Sequence, residues 1–179
     1  MTETIKIHDK KFRKFISSVK IQKAIGKIAG RINADFRNKK PIFLSVLNGS
    51  FLFAADLLKK VNVECEISFI KVASYSGTKS SGKVIKLIGL NENLRGRTVI
   101  ILEDIVDTGN TLENVLQELK AHHPEKIIIA TLFFKPKAYK KKIKLDYIGI
   151  EMPNEFLVGY GLDYDGLGRN FPDIYTLKT

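Results

Sequence analysis

The chain of 179 residues has little cysteine and proline and lacks tryptophan, with one cysteine and five prolines. The single cysteine, Cys65, excludes an intrachain disulfide, favours a reducing compartment and is expected to be a packing residue. No apolar run approaches the roughly 20 residues that a membrane-spanning helix needs. The charged first residues also lack the apolar core of a secretory signal. We therefore expect a cytoplasmic protein without a membrane partner.

The sequence has no internal repeat, low-complexity tract or Pro/Gly-rich linker that would divide it. Its length and its hydrophobic content of 44% suffice for one good-sized core. We predict a single domain over residues 1–179.

The charge is strongly positive, with a formal net charge of +11. Residues 1–40 carry twelve lysines or arginines against three acids, and a second basic cluster spans Lys135 to Lys144. The simplest interpretation is a solvated basic surface, and we expect Lys140, Lys141 and Lys142 to be solvated. Electrostatic steering of polyanionic small molecules and binding of nucleic acid are the alternatives. Nucleic-acid binding is the weakest of the three, because the aromatic-basic pattern of an RNA-recognition module is missing.

One stretch of sequence, E-D-I-V-D-T-G-N-T-L, holds most of the candidate chemistry. An apolar run predicted as a buried parallel strand, Thr98 to Leu102, ends in the adjacent carboxylates Glu103 and Asp104. A third carboxylate, Asp107, precedes a tight turn, Thr108 to Thr111, and an amphipathic helix follows. A small-residue turn into a helix start gathers backbone N–H groups at the positive helix end, which is a cradle for phosphate. Acids beside such a cradle suit a sugar-phosphate ligand.

Two other interpretations of this stretch fit less well. The tripeptide Asp107-Thr108-Gly109 also occurs in aspartic proteases, but those proteins are all-β and a helix follows directly here. No lysine follows Gly109 at the position that a nucleoside-triphosphatase loop requires.

Four segments together resemble the type I phosphoribosyltransferases, and in particular the members that act on 6-oxopurines. The stretch just described resembles their ribose-phosphate loop. Three further segments resemble that subgroup, follow its order and extend the likeness over nearly the whole chain: V-L-N-G-S (Val46 to Ser50), L-F-F-K-P (Leu132 to Pro136) and E-F-L-V-G-Y-G-L-D-Y (Glu155 to Tyr164).

The hydrophobic pattern predicts an α/β fold with a mainly parallel central sheet flanked by helices. To this the resemblance adds a small hood formed by the terminal segments. The predicted helices run from Ser18 to Phe36, from Phe51 to Lys60 and after Thr111. The predicted strands are Ile42 to Leu47, Val63 to Ala73, Val84 to Gly89, Thr98 to Leu102, Ile127 to Phe134 and Tyr147 to Glu151.

The resemblance implies an enzyme that joins hypoxanthine, and also guanine, to 5-phosphoribosyl-1-diphosphate, giving IMP or GMP and releasing diphosphate, with Mg²⁺ as cofactor. It also implies a homodimer or homotetramer. The alternative is a regulatory protein on the same fold, which keeps the phosphoribosyl diphosphate loop as a sensor and binds RNA or DNA through a basic face. Lys135, Phe156 and Asp163 argue for the enzyme, because a sensor does not need a purine pocket.

The resemblance also implies a role for each residue of the ribose-phosphate loop. Glu103 and Asp104 correspond to the pair that binds the ribose hydroxyls, directly or through Mg²⁺. Asp107 corresponds to the carboxylate near purine N7, a proton acceptor or electrostatic partner, and is the candidate catalytic residue. The 5'-phosphate is expected to bind Asp107, Thr108, Gly109, Asn110 and Thr111.

Other segments are implied to bind the purine, the diphosphate and a metal. Leu47, Asn48 and Gly49 resemble the diphosphate loop, which in this family often contains a non-proline cis peptide. Lys135 matches the lysine that donates to the purine 6-oxo group, Phe156 the aromatic residue that stacks on the base, and Leu157 a source of backbone hydrogen bonds. Asp163 matches a carboxylate that holds a second Mg²⁺, and Arg169 a guanidinium that binds diphosphate.

The chain departs from the family at two positions. Asn48 stands where many relatives have lysine in the diphosphate loop, and Asn110 where some have lysine in the phosphate loop. The loop from Ser74 to Gly82 has the composition of a mobile segment. It corresponds by resemblance to the flap that closes over the reacting complex, with Ser74 and Tyr75 as its signature.

Overall fold

The computed structural model describes residues 4–76 and 83–178, with only the backbone described for residues 73–76 and 83–88. Within these residues the chain forms ten strands and three helices. In chain order they are β1 (Thr4–Ile7), β2 (Lys10–Ile16), α1 (Ser18–Asp35), β3 (Ile42–Leu47), α2 (Phe51–Leu58), β4 (Glu66–Ser76), β5 (Lys83–Ile88), β6 (Thr98–Val106), α3 (Asn110–Lys120), β7 (Lys126–Phe134), β8 (Tyr147–Glu151), β9 (Leu157–Val158) and β10 (Ile174–Leu177). No helix among the described residues is long and apolar enough to cross a membrane.

The larger sheet has six strands in the order β5-β4-β3-β6-β7-β8. Strands β4, β3, β6, β7 and β8 are mutually parallel, and β5 joins the edge as the antiparallel partner of β4. The carboxyl ends of β3, β6 and β7 therefore meet along one edge, where parallel α/β sheets carry their ligands. The predicted fold class is confirmed.

Helices cover both faces of this sheet because each presents an apolar stripe at helical spacing. On one face, α1 buries Ile21, Ile25, Ile28 and Ile32 against a core that α2 shares. On the other face, α3 buries Leu112, Val115 and Leu119 against the alternate residues of β3 and β6. The central strands are apolar on both faces for this reason.

The terminal segments form a second, antiparallel sheet in the order β1-β2-β10-β9. Its small core consists of Ile7, Phe12, Val158 and Tyr175. This sheet is the predicted hood. β1, β9 and β10 have four residues or fewer and β2 is rich in lysine and arginine, so the hydrophobic pattern did not predict them.

Several predicted element boundaries were displaced, among them the ends of β6 and β4. Strand β6 does not end at Leu102 but pairs with β7 as far as Val106, so the strand itself includes Glu103 and Asp104. The loop predicted from Ser74 begins later, because the backbone of β4 continues to Ser76 in pairing with β5. The rest of the predicted flap, residues 77–82, lies outside the described residues.

Cys65 lies in the segment before β4 and is exposed, so its prediction as a packing residue was wrong. The apolar residues that follow it placed it in the predicted strand, but β4 begins only at Glu66.

Candidate active site

The carboxyl edge of the main sheet contains a cavity of about 280 Å³. It brings the predicted diphosphate loop and the predicted phosphate loop to one place, although more than fifty residues separate them in the chain. Its lining comprises Val46, Leu47, Gly49 and every residue from Glu103 to Leu112. A larger cavity of about 740 Å³ is lined by residues within 30–40 and 62–64. It lies near the start of β3, away from the carboxyl edge, and none of the predicted site residues lines it.

The predicted diphosphate loop follows β3 and contains the expected non-proline cis peptide, between Leu47 and Asn48. Asn48 is exposed. Gly49 lies so close to the Asp104 carboxylate that a Cβ on Gly49 would collide with it. Only glycine therefore allows the loop and the acid to approach this closely.

A pair of buried hydroxyls anchors the same loop and was not predicted. The Oγ atoms of Ser45 and Ser50 are 2.6 Å apart, and Ser50 Oγ also donates to the carbonyl of Val46 at 2.6 Å. Both serines are fully buried. The one hint in the sequence is a serine within the otherwise apolar strand I-F-L-S-V-L.

Glu103 and Asp104 form an acidic pair with unusual electrostatics. Glu103 is buried and its Oε1 atom has no hydrogen-bond partner. Desolvation raises the pKa of Glu103 well above its ordinary value, and the charge of Asp104 adds to the effect. Desolvation also raises the pKa of Asp104 to about 6, against the opposing effect of backbone hydrogen bonds and Arg169. The site thus holds two carboxyls that gain a proton easily and lack a full set of partners.

The predicted phosphate loop leads directly into α3. Gly109 caps this helix in a left-handed conformation with a φ of 86°. The first N–H groups of a helix have no acceptor within the helix, and they point toward the loop. Asn110 is exposed at the helix start, and its N–H lies 3.5 Å from Thr108 Oγ1. The geometry suits a phosphate group bound by backbone donors.

The structure brings together Lys135 and Asp107, which were predicted separately from two motifs. Lys135 follows β7 directly, and its Nζ lies 2.8 Å from Asp107 Oδ2. Only 8% of Lys135 is exposed, whereas the Asp107 side chain is far more open to solvent. A buried ammonium needs such a charged partner. The pair presents a proton donor and a proton acceptor side by side.

Asp163 and Arg169 form an ion pair, with Arg169 Nη2 2.6 Å from Asp163 Oδ1. Arg169 Nη1 also donates to the carbonyl of Gly161 at 2.6 Å. Gly161 in turn lies against the backbone of Gly49, where a Cβ would collide with the Gly49 carbonyl oxygen. The predicted diphosphate arginine is therefore held next to the predicted diphosphate loop.

The predicted base-stacking residue, Phe156, lies in the hood with 48% of its surface exposed. The centroid of its ring lies 5.7 Å from the ring centroid of Tyr164, in an edge-on arrangement, and 6.3 Å from that of Phe12. Leu157 is buried at the start of β9, opposite Thr176 of β10. The hood thus offers an open aromatic face beside a strand backbone.

One of the three lysines predicted to be solvated is not. Lys140 and Lys142 are exposed, but Lys141 Nζ lies 2.6 Å from Glu113 Oε2 in the first turn of α3. The prediction for Lys141 was wrong because the segment after Lys135 folds back over the phosphate loop.

A further unpredicted contact links α2 to the segment that follows β9. The hydroxyl of the buried Tyr160 donates to Asp56 Oδ2 at 2.6 Å. Desolvation raises the pKa of Tyr160, and the hydrogen bond to Asp56 raises it further. Tyr160 was part of a recognised motif, but nothing in the sequence indicated its partner.

A parallel α/β sheet with a phosphate cradle, an acid pair and a lysine–aspartate pair at its carboxyl edge defines a class, the proteins that bind phosphorylated sugars. The chain belongs to the phosphoribosyl transferase family, because the family profile described as "Phosphoribosyl transferase domain" matches residues 17–165.

Three relatives illustrate what the chain is similar to. The hypoxanthine-guanine phosphoribosyltransferase of Streptococcus pyogenes serotype M3 is 43% identical over 153 residues, which cover 85% of each chain. The hypoxanthine phosphoribosyltransferase of Staphylococcus aureus has a similar structure, with a TM-score of 0.84 at 34% identity, covering 92% of this chain and 90% of that one. A structure of the Trypanosoma cruzi hypoxanthine phosphoribosyltransferase is also similar, with a TM-score of 0.83 at 30% identity. The match covers 97% of this chain and 95% of that one.

Proposed function

We propose that this protein is a purine-salvage transferase that joins hypoxanthine, and also guanine, to 5-phosphoribosyl-1-diphosphate. The products are IMP or GMP and diphosphate. The observation that carries the proposal is the 2.8 Å pair of Lys135 and Asp107, next to the phosphate cradle. The reaction forms a bond between a purine nitrogen and C1 of the ribose, breaks the bond from C1 to diphosphate and removes one proton from the base. Lys135 and Asp107 supply the donor for the 6-oxo group and the acceptor for that proton.

The phosphate loop fixes the sugar in place. Backbone N–H groups of residues 108–111 and the hydroxyls of Thr108 and Thr111 bind the 5'-phosphate. Glu103 and Asp104 bind the ribose hydroxyls. At pH 7 Asp104, with a pKa of about 6, is mostly ionised and accepts hydrogen bonds, and desolvation raises the pKa of Glu103 as well. Holding phosphate and ribose at two points orients C1 toward the base.

Diphosphate binds between the loop at Leu47–Gly49 and Arg169. The guanidinium has five N–H donors, so it can hold Asp163 and the Gly161 carbonyl and still donate to phosphate oxygens. Asn48 has no ammonium group, so the backbone N–H groups of the loop supply the remaining donors.

The donor set of the site fits Mg²⁺. This ion is commonly bound by one or two carboxylates together with substrate phosphates and water. Glu103 has a buried oxygen without a partner, and Asp104 lies next to it. Among the described residues no three acids, histidines or cysteines are placed to hold a metal ion by themselves, so substrate oxygens would complete the coordination. When bound, Mg²⁺ neutralises the charge that develops on the leaving diphosphate. Asp163, which is paired with Arg169, would supply the carboxylate for a second ion.

The base binds between the hood and Lys135. Phe156 stacks on the purine through its exposed face, and the backbone at Leu157 meets the edge of the base. Ser74 and Tyr75 lie in β4, paired with β5, and in this proposal the end of that strand pair belongs to a flap that excludes water during the reaction. We further propose that the chain acts as one domain, in a cytoplasmic homodimer or homotetramer.

The test is the rate of diphosphate release with hypoxanthine, guanine and adenine. An ammonium directed at C6 favours a 6-oxo acceptor over a 6-amino donor, so hypoxanthine and guanine should react and adenine should not. Lys135→Ala should lower kcat/KM for hypoxanthine by about 10²-fold or more and reduce its advantage over adenine. The control, Lys142→Ala, removes an exposed lysine and should behave as wild type. Lys135→Ala behaving like Lys142→Ala would refute the role of Lys135 in recognising the base.

A further inference from the structure

A carboxylate stands at the helix end that is proposed to bind phosphate. Glu113 is in the first turn of α3, and its N–H donates to the carbonyl of Gly109 at 3.0 Å. An acid in this position stabilises the positive end of the helix. It also repels a phosphate that uses the same end, so the cradle needs a counter-charge for Glu113.

Lys141 provides that counter-charge from a distant part of the chain. Its Nζ lies 2.6 Å from Glu113 Oε2, and its side chain is 24% exposed against 53% for Glu113. The contact is built into the fold rather than a chance surface pair. The stem of Lys141 lies against the phosphate loop, since a Cβ on Gly109 would come within 2.9 Å of Lys141 Cγ.

The neighbours of Lys141 fix the same arrangement. The ring of Tyr139 also covers Gly109, and the hydroxyl of Tyr139 donates to the carbonyl of Ile143 at 2.7 Å. The N–H of Lys140 donates to the carbonyl of Thr108 at 3.3 Å. The segment that begins at the purine lysine, Lys135, thus ends on the phosphate loop.

We propose that Lys141 is a positioning residue that neutralises Glu113 and thereby lets the cradle bind the dianionic 5'-phosphate tightly. The inference rests on the proposed function of the site. Lys141 acts through Glu113 and the loop backbone, and it does not take part in the chemical step. Its loss should therefore weaken binding of the phosphorylated sugar and leave kcat nearly unchanged.

The first test is Lys141→Met, which keeps the stem that covers Gly109 and removes the charge. The KM for phosphoribosyl diphosphate should rise about 3- to 10-fold at low salt, with kcat within about twofold of wild type. The rise should shrink as ionic strength increases, because salt screens the exposed carboxylate. Lys142→Met is the matched control, since it removes the same charge from an exposed neighbour and should leave KM unchanged.

The second test is rescue. Glu113→Gln should lower the KM for phosphoribosyl diphosphate below the wild-type value, and Glu113→Gln combined with Lys141→Met should return it to within about twofold of wild type. A purely structural role for Lys141 would give no rescue. The single Glu113→Gln variant also keeps the test valid if Lys141→Met does not fold.

Binding of phosphoribosyl diphosphate measured by calorimetry separates this inference from the proposed function. If wild type does not bind it, the proposed function fails. If wild type binds it and Lys141→Met binds equally well, or if the double variant stays as weak as Lys141→Met, the role of Lys141 is refuted. If Lys141→Met and Lys142→Met weaken binding equally, the effect is one of overall charge and the inference is wrong.

Discussion

Replacing Asp104 by asparagine should stabilise the ligand-free protein at neutral pH, although the residue belongs to the proposed site. Desolvation raises the pKa of Asp104 from 3.8 to about 6, so the folded protein binds that proton more tightly than the unfolded chain does. Ionisation therefore destabilises the fold as the pH rises from about 4 to about 6, and the full cost is present above that range. At 1.36 kcal/mol for each pKa unit, the cost is about 3 kcal/mol at most.

The amide removes this cost and keeps the shape of the side chain. Asparagine Oδ1 can still accept the hydrogen bond that the N–H of Ile105 donates to Asp104 at 2.9 Å. For a chain of this length the gain corresponds to a rise in Tm of up to about 10 °C.

The assay is thermal unfolding in chelator, between pH 3.5 and pH 8. The Tm difference between Asp104→Asn and wild type should be small below pH 4, grow between pH 4 and pH 6 and stay constant above. Asp165→Asn, which neutralises an exposed acid, is the control and should show no such step. An Asp104→Asn variant less stable than wild type at pH 7.5 would refute the reasoning, because the carboxylate would then be a stabilising group.

Three further predictions follow from the same site. Asp107→Asn should lower kcat by about 10²-fold, the usual contribution of general acid–base catalysis. A raised KM with an unchanged kcat would instead show that Asp107 only binds the substrate. Chelation of divalent ions should abolish activity and added Mg²⁺ should restore it; full activity in chelator would contradict a metal-assisted release of diphosphate. Ser50→Ala should lower the free energy of unfolding by about 1–3 kcal/mol, because it leaves the buried Ser45 hydroxyl without its partner. Unfolding in denaturant measures this change, and an unchanged midpoint would contradict the prediction.

Much of the main sheet could be predicted from sequence because its strands are buried on both faces. The run I-F-L-S-V-L predicted β3 at its observed bounds, and the isoleucines of α1 predicted its buried stripe. The end of β6 was misplaced for a physical reason. Charged residues normally mark the end of a buried strand, but β6 continues through Glu103 and Asp104, and Glu103 pairs with Thr131 of β7.

Contacts between distant segments could not be predicted in the same way. The motifs indicated Lys135 and Asp107 separately, and only the parallel pairing of β6 with β7 places them side by side. The pair of Lys141 and Glu113 depends on how the segment after Lys135 folds back, which no periodicity encodes. The hood was expected from the resemblance alone, since three of its strands have four residues or fewer and the fourth, β2, is rich in basic residues.

The central claim is tested most directly by the products formed from hypoxanthine and 5-phosphoribosyl-1-diphosphate. Purified protein should be incubated with both and with Mg²⁺, and the nucleotide and the diphosphate should be quantified by chromatography. The account predicts IMP and diphosphate in equal amounts, with no nucleotide formed from adenine. Binding of phosphoribosyl diphosphate without any IMP would contradict it and would favour a regulatory protein on the same fold.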